Sequence, residues 1–217
     1  MALPWALAVL SLLPLLDARR LACTNYVVPI TEPTLDRISG KWFLIAWAYR
    51  DPEYKESTRD LKAGFFHMTY NQTKDSLLLR EYSTTGDRCI YTYSVLRIHR
   101  ENGTVYKYDE NGRKHFGRLI LPKDRKIYML VAFPDDPQKI GISFFALSPR
   151  VTRRQRKQFY NELKCRGIKR SEVKFTNTRK DFCKTLEKQH EEERKAKGET
   201  ERDTVLDKDV GDVGGLS

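Results

Sequence analysis

Four cysteines, Cys23, Cys89, Cys165 and Cys183, are the side chains of this sequence best suited to covalent chemistry. Their number is even and they follow an apolar leader, a combination typical of disulfides formed in an oxidising compartment. Four cysteines allow three pairings, and their spacing alone leaves all three open. The sequence contains no Cys-x-x-Cys pair or Cys/His cluster, so it predicts neither a metal site nor a cofactor.

Catalytic chemistry is not expected from the other residue types. With the cysteines assigned to disulfides, the sequence shows no arrangement of serine, histidine and aspartate that would support nucleophilic catalysis. We therefore expect no catalytic residues and interpret the chain as a binding protein rather than an enzyme.

Two asparagines stand in sequons for N-linked glycosylation, Asn71-Gln72-Thr73 and Asn102-Gly103-Thr104. Both sequons fall in turn-like stretches, from which a bulky glycan can project into solvent. The sequence therefore predicts a glycoprotein that is modified at Asn71 and Asn102.

Basic side chains crowd one segment in the second half of the chain: Arg150, Arg153, Arg154, Arg156, Lys157, Arg166, Lys169, Arg170 and Lys174. Such a patch favours binding of heparan sulfate or of anionic lipid headgroups by charge neutralisation. The alternative is a solvated helix face with no dedicated partner, and the sequence leaves both open. Nucleic-acid binding is not expected, because no motif that interleaves aromatic and basic residues is present.

The sequence divides into three parts. Residues 1–18 contain a short apolar run at 6–16 and end on the small residue Ala18. This pattern predicts a secretory signal peptide and an extracellular mature chain. Residues 187–217 hold ten acidic and six basic residues and few apolar ones, which predicts a disordered, charged tail. Since the leader contributes −1 and the tail −4 to the net charge of +11, the single domain at residues 19–186 carries +16.

Short strands are expected to carry the side chains that line the interior of this domain. Gly40 and Trp42 open an apolar run that predicts a first strand, and Leu44, Ala46 and Ala48 are expected to share the face of Trp42. Seven more strands are predicted at residues 63–70, 76–83, 88–100, 104–108, 114–121, 126–133 and 140–147. Hairpin-length turns join them, which predicts an eight-stranded antiparallel up-and-down β-barrel with room for one small ligand.

One helix is predicted to lie against the outside of the barrel. Thr152 is a candidate N-cap for residues 152–165, in which Gln155, Phe159 and Leu163 recur every four residues on one face. A helical turn at 34–38, a charged loop at 50–62 and a short edge strand at 173–177 are also expected. The predicted fold class is therefore all-β with one flanking helix.

This succession of a leader, a Gly-x-Trp motif on the first strand, eight strands and one helix resembles the lipocalin family. Runs at residues 34–43, 79–82, 89–91, 100–104 and 186–191 extend the resemblance over most of the chain. It implies a monomeric plasma protein of the acute-phase response that modulates immunity and carries lipophilic small molecules (drugs, steroids and lipids) in the barrel. It also implies the disulfides Cys23–Cys165 and Cys89–Cys183.

The resemblance further implies which side chains face the interior, with Tyr49 at the mouth. The ligand-binding residues implied are Leu44, Tyr49, Phe66, Met68, Leu79, Glu81, Ser83, Leu96, Val105, Lys107, His115, Leu119, Tyr128, Leu130, Ser143 and Phe145, and Ala46, Thr92, Ser94 and Ala132 are placed on the same face. The apolar members pack in a core whether or not a ligand enters. His115 is interpreted as a hydrogen-bonded wall residue.

Two charged residues stand out in this interior. Glu81 and Lys107 are expected to face each other, either as a pair that orients a ligand or as a buried ion pair that satisfies itself. The proteins that these runs resemble have an acidic net charge, whereas this domain is basic. We therefore expect this protein to favour neutral or anionic ligands over cationic amines.

Overall fold

The computed structural model describes residues 29–108, 112, 114–133 and 135–198. The predicted signal peptide and Cys23 lie outside these residues, as does the tail from residue 199, so the pairing of Cys23 with Cys165 stays a prediction. None of the helices that the structure describes has the length and hydropathy needed to span a membrane.

Eight antiparallel strands form a closed barrel, as predicted. They are β1 (Gly40–Tyr49), β2 (Leu61–Asn71), β3 (Ser76–Thr85), β4 (Arg88–His99), β5 (Thr104–Tyr108), β6 (Lys114–Ile120), β7 (Ile127–Ala132) and β8 (Gly141–Ala146). Each strand pairs with its neighbours in the chain, and β1 closes the sheet by pairing with both β8 and β2.

Helices and one short strand surround the barrel. They are α1 (Glu32–Ile38), α2 (Pro52–Ser57), α3 (Arg153–Cys165), α4 (Lys184–Ala196) and β9 (Lys174–Phe175), with 3₁₀ turns at Arg170–Glu172 and Thr178–Lys180. The edge strand predicted at 173–177 is β9, which pairs with the second half of β1. Residues 50–62, predicted as a loop, contain α2, because the Asp51 side chain caps the backbone N–H groups of Glu53 and Tyr54 at 3.1 Å.

Trp42 seals one end of the barrel. Gly40, with φ of +96°, turns the chain from α1 into β1, a backbone conformation that favours glycine. The indole of Trp42 is 1% exposed, donates from Nε1 to the Ile38 carbonyl at 2.8 Å and meets the Tyr128 ring edge-on at 4.7 Å. Leu35 and Ile38 of α1 are fully buried at the same end of the barrel, so the Gly-x-Trp motif and α1 close this end together.

A β-bulge in β1 corrects the predicted facing of Ala46 and Ala48. Leu44 pairs with Phe145 and Ala46 with Phe144, so Ile45 is an extra residue that reverses the alternation. Ala46 and Ala48 consequently pack in the cluster of apolar residues between the barrel and α3, outside the interior. Strict alternation from Trp42 was therefore wrong after Leu44.

The flanking helix α3 agrees with the prediction. Thr152 and Gln155 form a reciprocal capping box at its start, with Gln155 N donating to Thr152 Oγ1 at 3.2 Å. Phe159 and Leu163 are buried against the outer face of the sheet, and the ring of Phe159 stacks on Phe144 at 4.9 Å.

Helix α4 shows that the predicted tail boundary at residue 186 is wrong. The disulfide Cys89–Cys183 fixes the start of α4 to β4, as the resemblance implied. Glu187, 7% exposed, accepts from Lys41 Nζ at 2.5 and 2.6 Å and lies 2.6 Å from His67 Nε2. Burial alone raises the pKa of Glu187, but the hydrogen bonds from His67 and Lys41 outweigh it and keep that pKa below its usual range. A polar helix is thus held by specific ion pairs, which composition does not reveal.

Candidate ligand-binding cavity

The barrel contains a cavity of about 740 Å³, and Ile38 of α1 lines its closed end. This volume lies within the range of cavities that hold drug-sized ligands, and its walls are mainly aliphatic and aromatic. Of the predicted ligand-binding residues, those that line the cavity are Leu44, Tyr49, Phe66, Met68, Leu79, Glu81, Leu96, Val105, Lys107, His115, Leu119, Tyr128, Leu130, Ser143 and Phe145. Ser94 and Ala132, placed on the same face, line it too.

Besides Ala46, two residues placed inside by the sequence do not line the cavity. Ser83 instead donates from its short side chain to Glu81 Oε1 at 3.3 Å, so it orients a wall residue. Thr92 is exposed, because among the described residues β5 pairs with β4 only at 97–99 and leaves the first half of β4 uncovered. The shortness of β5 therefore explains the error at Thr92.

The structure adds wall residues that were not predicted from the sequence, among them Trp47 and Tyr54. Trp47 faces the cavity because the bulge at Ile45 reverses the alternation of β1. The unbroken apolar run of β1 gave no signal for this change. For Tyr54 a signal existed, since Asp51 followed by proline is a common start of a helix.

Tyr54 reaches over the mouth from α2. Its hydroxyl lies 2.9 Å from His115 Nδ1, and the two rings stack at 5.9 Å with an interplanar angle of 19°. Tyr54 also meets the Tyr49 ring edge-on at 5.2 Å. The interpretation of His115 as a hydrogen-bonded wall residue therefore matches its geometry.

Tyr49 is fixed on the wall by its neighbours. Its hydroxyl forms a short hydrogen bond with the Ser143 hydroxyl, and its ring lies so close to Gly141 that a Cβ there would overlap with Cδ1. Burial raises the pKa of Tyr49 to about 12, opposed by the Ser143 hydrogen bond and assisted by the charge of Glu81. Burial likewise raises the pKa of Tyr128, again with a contribution from Glu81.

Glu81 and Lys107 do not form the ion pair considered in the sequence analysis. Within the described part of the chain, no cation lies within 4.0 Å of the Glu81 carboxylate, and Lys107 makes no ion pair. Glu81 sits on β3 beside Phe66 of β2, whereas Lys107 lies on β5 opposite His115. The cavity therefore presents the Glu81 carboxylate and the Lys107 ammonium group separately to a ligand, and Glu53 adds a second carboxylate to its lining.

One further group of titratable residues lies outside the barrel, beneath α4. His67, Glu187 and Glu191 place possible metal-ligating atoms within 4.8 Å of one another. Lys41 already engages both oxygens of Glu187, so this cluster has a structural role in holding α4.

Comparison with known proteins places this architecture in a family. A model described as "Lipocalin / cytosolic fatty-acid binding protein family" matches residues 39–180. Among solved structures, lipocalin 12 from rat epididymis has a TM-score of 0.56 at 16% identity over 71% of this chain and 90% of its own. The siderocalin Ex-FABP has a TM-score of 0.51 at 15% identity over 64% of this chain and 93% of its own. At such low identity these two structures support the fold alone.

Relatives with higher identity are alpha-1-acid glycoproteins. The protein of this name from Bos taurus is 48% identical over 92% of this chain and 99% of its own, and that from Oryctolagus cuniculus is 48% identical over 90% and 97%. The Rattus norvegicus protein is 39% identical over 87% and 92%. These relatives are secreted plasma proteins, which confirms the predicted extracellular location. The chain therefore belongs to the lipocalin family, and it is a small-molecule-binding protein rather than an enzyme.

Proposed function

We propose that this protein is a plasma glycoprotein that carries lipophilic small molecules in the barrel cavity. The observation that carries the proposal is the mainly apolar cavity of about 740 Å³ inside the barrel, which opens at Tyr54. A role in the acute-phase response and in modulating immunity is proposed with it, on the basis of the similarity to alpha-1-acid glycoproteins.

The positions of the sequons are compatible with entry of a ligand. Asn71 ends β2 and Asn102 lies in the turn between β4 and β5, which are connections at the Trp42 end of the barrel. Glycans at these two positions would therefore project from the closed end and leave the mouth uncovered.

The isolated carboxylate of Glu81 bears on the charge of the ligand. An ammonium group on a lipophilic ligand would find in Glu81 an acceptor that has no cation of the described residues within 4.0 Å. The basic surface of the domain acts in the opposite direction, but salt screens it over about 10 Å or less. The local carboxylate is thus proposed to outweigh the net charge, which reverses the preference expected from the sequence.

A fluorescence titration tests the carrier function. N-phenyl-1-naphthylamine, a neutral aromatic probe, is expected to bind at one site and to quench Trp47 by energy transfer. Enlarging the wall with Ala132→Phe is expected to weaken binding about tenfold, because the added ring occupies the space of the ligand.

The control for this variant is Val95→Phe. It also introduces a phenylalanine ring, but on the outer face of β4, where Val95 is 46% exposed. Unchanged affinity in Ala132→Phe, or equal loss in both variants, would refute binding inside the barrel.

A second candidate function, binding of heparan sulfate, is favoured by the charge distribution from residue 150 to residue 180. The two acidic residues of this segment are both engaged: Glu162 pairs with Arg166, and Glu172 pairs with Arg50 at 3.0 Å. The basic residues that remain exposed are Arg150, Arg153, Arg154, Arg156, Lys157, Lys164, Lys169, Arg170, Lys174, Arg179 and Lys180. No exposed acidic residue in the segment opposes them.

Heparin affinity chromatography tests this second function. Replacing Arg153, Arg154 and Arg156 together by glutamine is expected to lower the salt concentration needed for elution, because fewer sulfate groups are neutralised. The same number of replacements at exposed lysines elsewhere, namely Lys188 and Lys195 of α4 and Lys197 directly after it, serves as the control. Equal shifts in the two variants would show that net charge, and not this segment, determines retention.

A further inference from the structure

A cleft separate from the barrel cavity lies on the outer surface between α3 and β9. It has a volume of about 510 Å³, and Ile45, Pro149 and Val151 contribute an apolar base. The rings of Phe175 and Tyr160 form two of its sides. Phe175 is 45% exposed although its backbone is fixed by pairing with Ala46, so an aromatic face is held open to solvent.

Guanidinium groups border this apolar cleft. Arg150 and Arg156 both line it and are exposed, and the Arg156 guanidinium lies 5.6 Å from the centre of the Phe175 ring. On the far side of Tyr160, Arg170 lies over the ring at 4.3 Å. Within the described residues, neither Arg150 nor Arg156 forms an ion pair.

The exposed aromatic rings and the neighbouring guanidinium groups together determine what the cleft can bind. The nearby carboxylates of Glu162 and Glu172 are already paired with Arg166 and Arg50, so an anion brought by a ligand has no competitor at Arg150 and Arg156. A flat apolar body would pack on Ile45 and against the aromatic sides. Solvent-exposed arginines alone would suit any polyanion, but exposed rings beside them favour an amphipathic ligand.

We propose that this outer cleft is a second binding site, which takes a small aromatic monoanion. The sulfonate, sulfate or carboxylate group of the ligand would pair with Arg156 and Arg150, and its ring system would lie between Phe175 and Tyr160. This site is independent of the barrel cavity, from which the wall of β1 separates it.

Two probes that differ by one charged group test the proposal. 8-Anilinonaphthalene-1-sulfonate carries the anion, and N-phenyl-1-naphthylamine is its neutral counterpart. In a titration of the full-length mature protein, the sulfonate is expected to occupy the outer cleft and, more weakly than the neutral probe, the barrel cavity, whereas the neutral probe occupies the barrel cavity alone. Arg156→Gln and Phe175→Ser are each expected to weaken the second sulfonate site about tenfold, since each removes a contact to one half of the ligand. Neither should change the isotherm of the neutral probe.

Matched substitutions separate this site from general charge and from misfolding. Arg153→Gln changes an exposed arginine of the same helix that does not line the cleft, and Phe182→Ser changes a phenylalanine that is 52% exposed elsewhere. Both are expected to keep two sulfonate sites. Heparin retention should fall with Arg153→Gln as much as with Arg156→Gln and should not depend on Phe175.

Three results would overturn the proposal. They are the absence of any sulfonate site for which the neutral probe does not compete, unchanged affinity of that site in Arg156→Gln, or equal losses in Arg153→Gln and Arg156→Gln. Failure of the neutral probe to bind would instead count against the barrel cavity and would leave the outer cleft to be judged by the sulfonate alone.

Discussion

Replacing Glu81 by glutamine tests the proposed preference of the cavity for ligands that carry an ammonium group, because it removes a single charge from the cavity wall. The substitution keeps the size of the side chain and its ability to accept from the Ser83 hydroxyl, but it removes the negative charge. We expect Glu81→Gln to weaken binding of a lipophilic amine and to leave binding of a neutral molecule of the same shape unchanged.

The magnitude follows from the position of Glu81. Two unit charges 4 Å apart interact by about 4 kcal/mol at an effective dielectric constant of 20. Glu81 is only partly buried, and both charges lose hydration when they meet, so we discount this value to about 1–2 kcal/mol. A difference of that size corresponds to roughly a tenfold change in the dissociation constant.

Competition for the neutral fluorescent probe measures the effect with matched amine and neutral ligands. Glu53→Gln is the control, because Glu53 also borders the cavity but is exposed at the mouth, where water screens its charge. If Glu81→Gln weakened the amine and the neutral ligand equally, or if Glu53→Gln had the larger effect on the amine, the reasoning would be refuted.

Three further predictions concern stability and shape. The pKa of Tyr49 is raised from 10.0 to about 12, so its contribution to stability is fully present below pH 10 and is lost as the pH rises through 12. Urea unfolding at alkaline pH should therefore show a loss of about 3 kcal/mol in the free energy of unfolding. No loss between pH 10 and 12 would contradict this. Glu187→Gln should lower the free energy of unfolding by about 2 kcal/mol in urea, because it leaves the buried His67 and the partly exposed Lys41 without their anion; a loss below about 0.5 kcal/mol would show that the ion pairs do not hold α4. Gly117→Ala should push Leu130 into the cavity, since the new Cβ would lie 2.7 Å from its Cγ, and should reduce probe affinity several-fold; unchanged affinity would count against Leu130 as a ligand contact.

The barrel was predictable because its signals are local. Gly40, Trp42 and the turn residues between strands determine where each strand begins, and the capping box at Thr152 marks the start of α3. The facing of most wall residues followed from period-two alternation once the phase was known from related sequences.

The predictions failed where the local structure depends on contacts between residues that are far apart in the sequence. The bulge at Ile45 is compensated by pairing with β8 and β9, and nothing in an unbroken apolar run announces it. Helix α4 is too polar to be predicted as ordered, yet the disulfide at Cys183 and the buried Glu187 hold it on the sheet. The separation of Glu81 from Lys107 depends on the stagger of β3 against β5, which the sequence does not contain.

Nuclear magnetic resonance of methyl groups during titration with the neutral probe tests the hollow barrel most directly. The predicted result is that shifts and contacts to the probe are confined to methyl groups inside the barrel, on Leu44, Leu79 and Leu130, at one probe per chain. Contacts to Ile142, which is buried between the barrel and α3, or to surface methyl groups alone, would contradict the account.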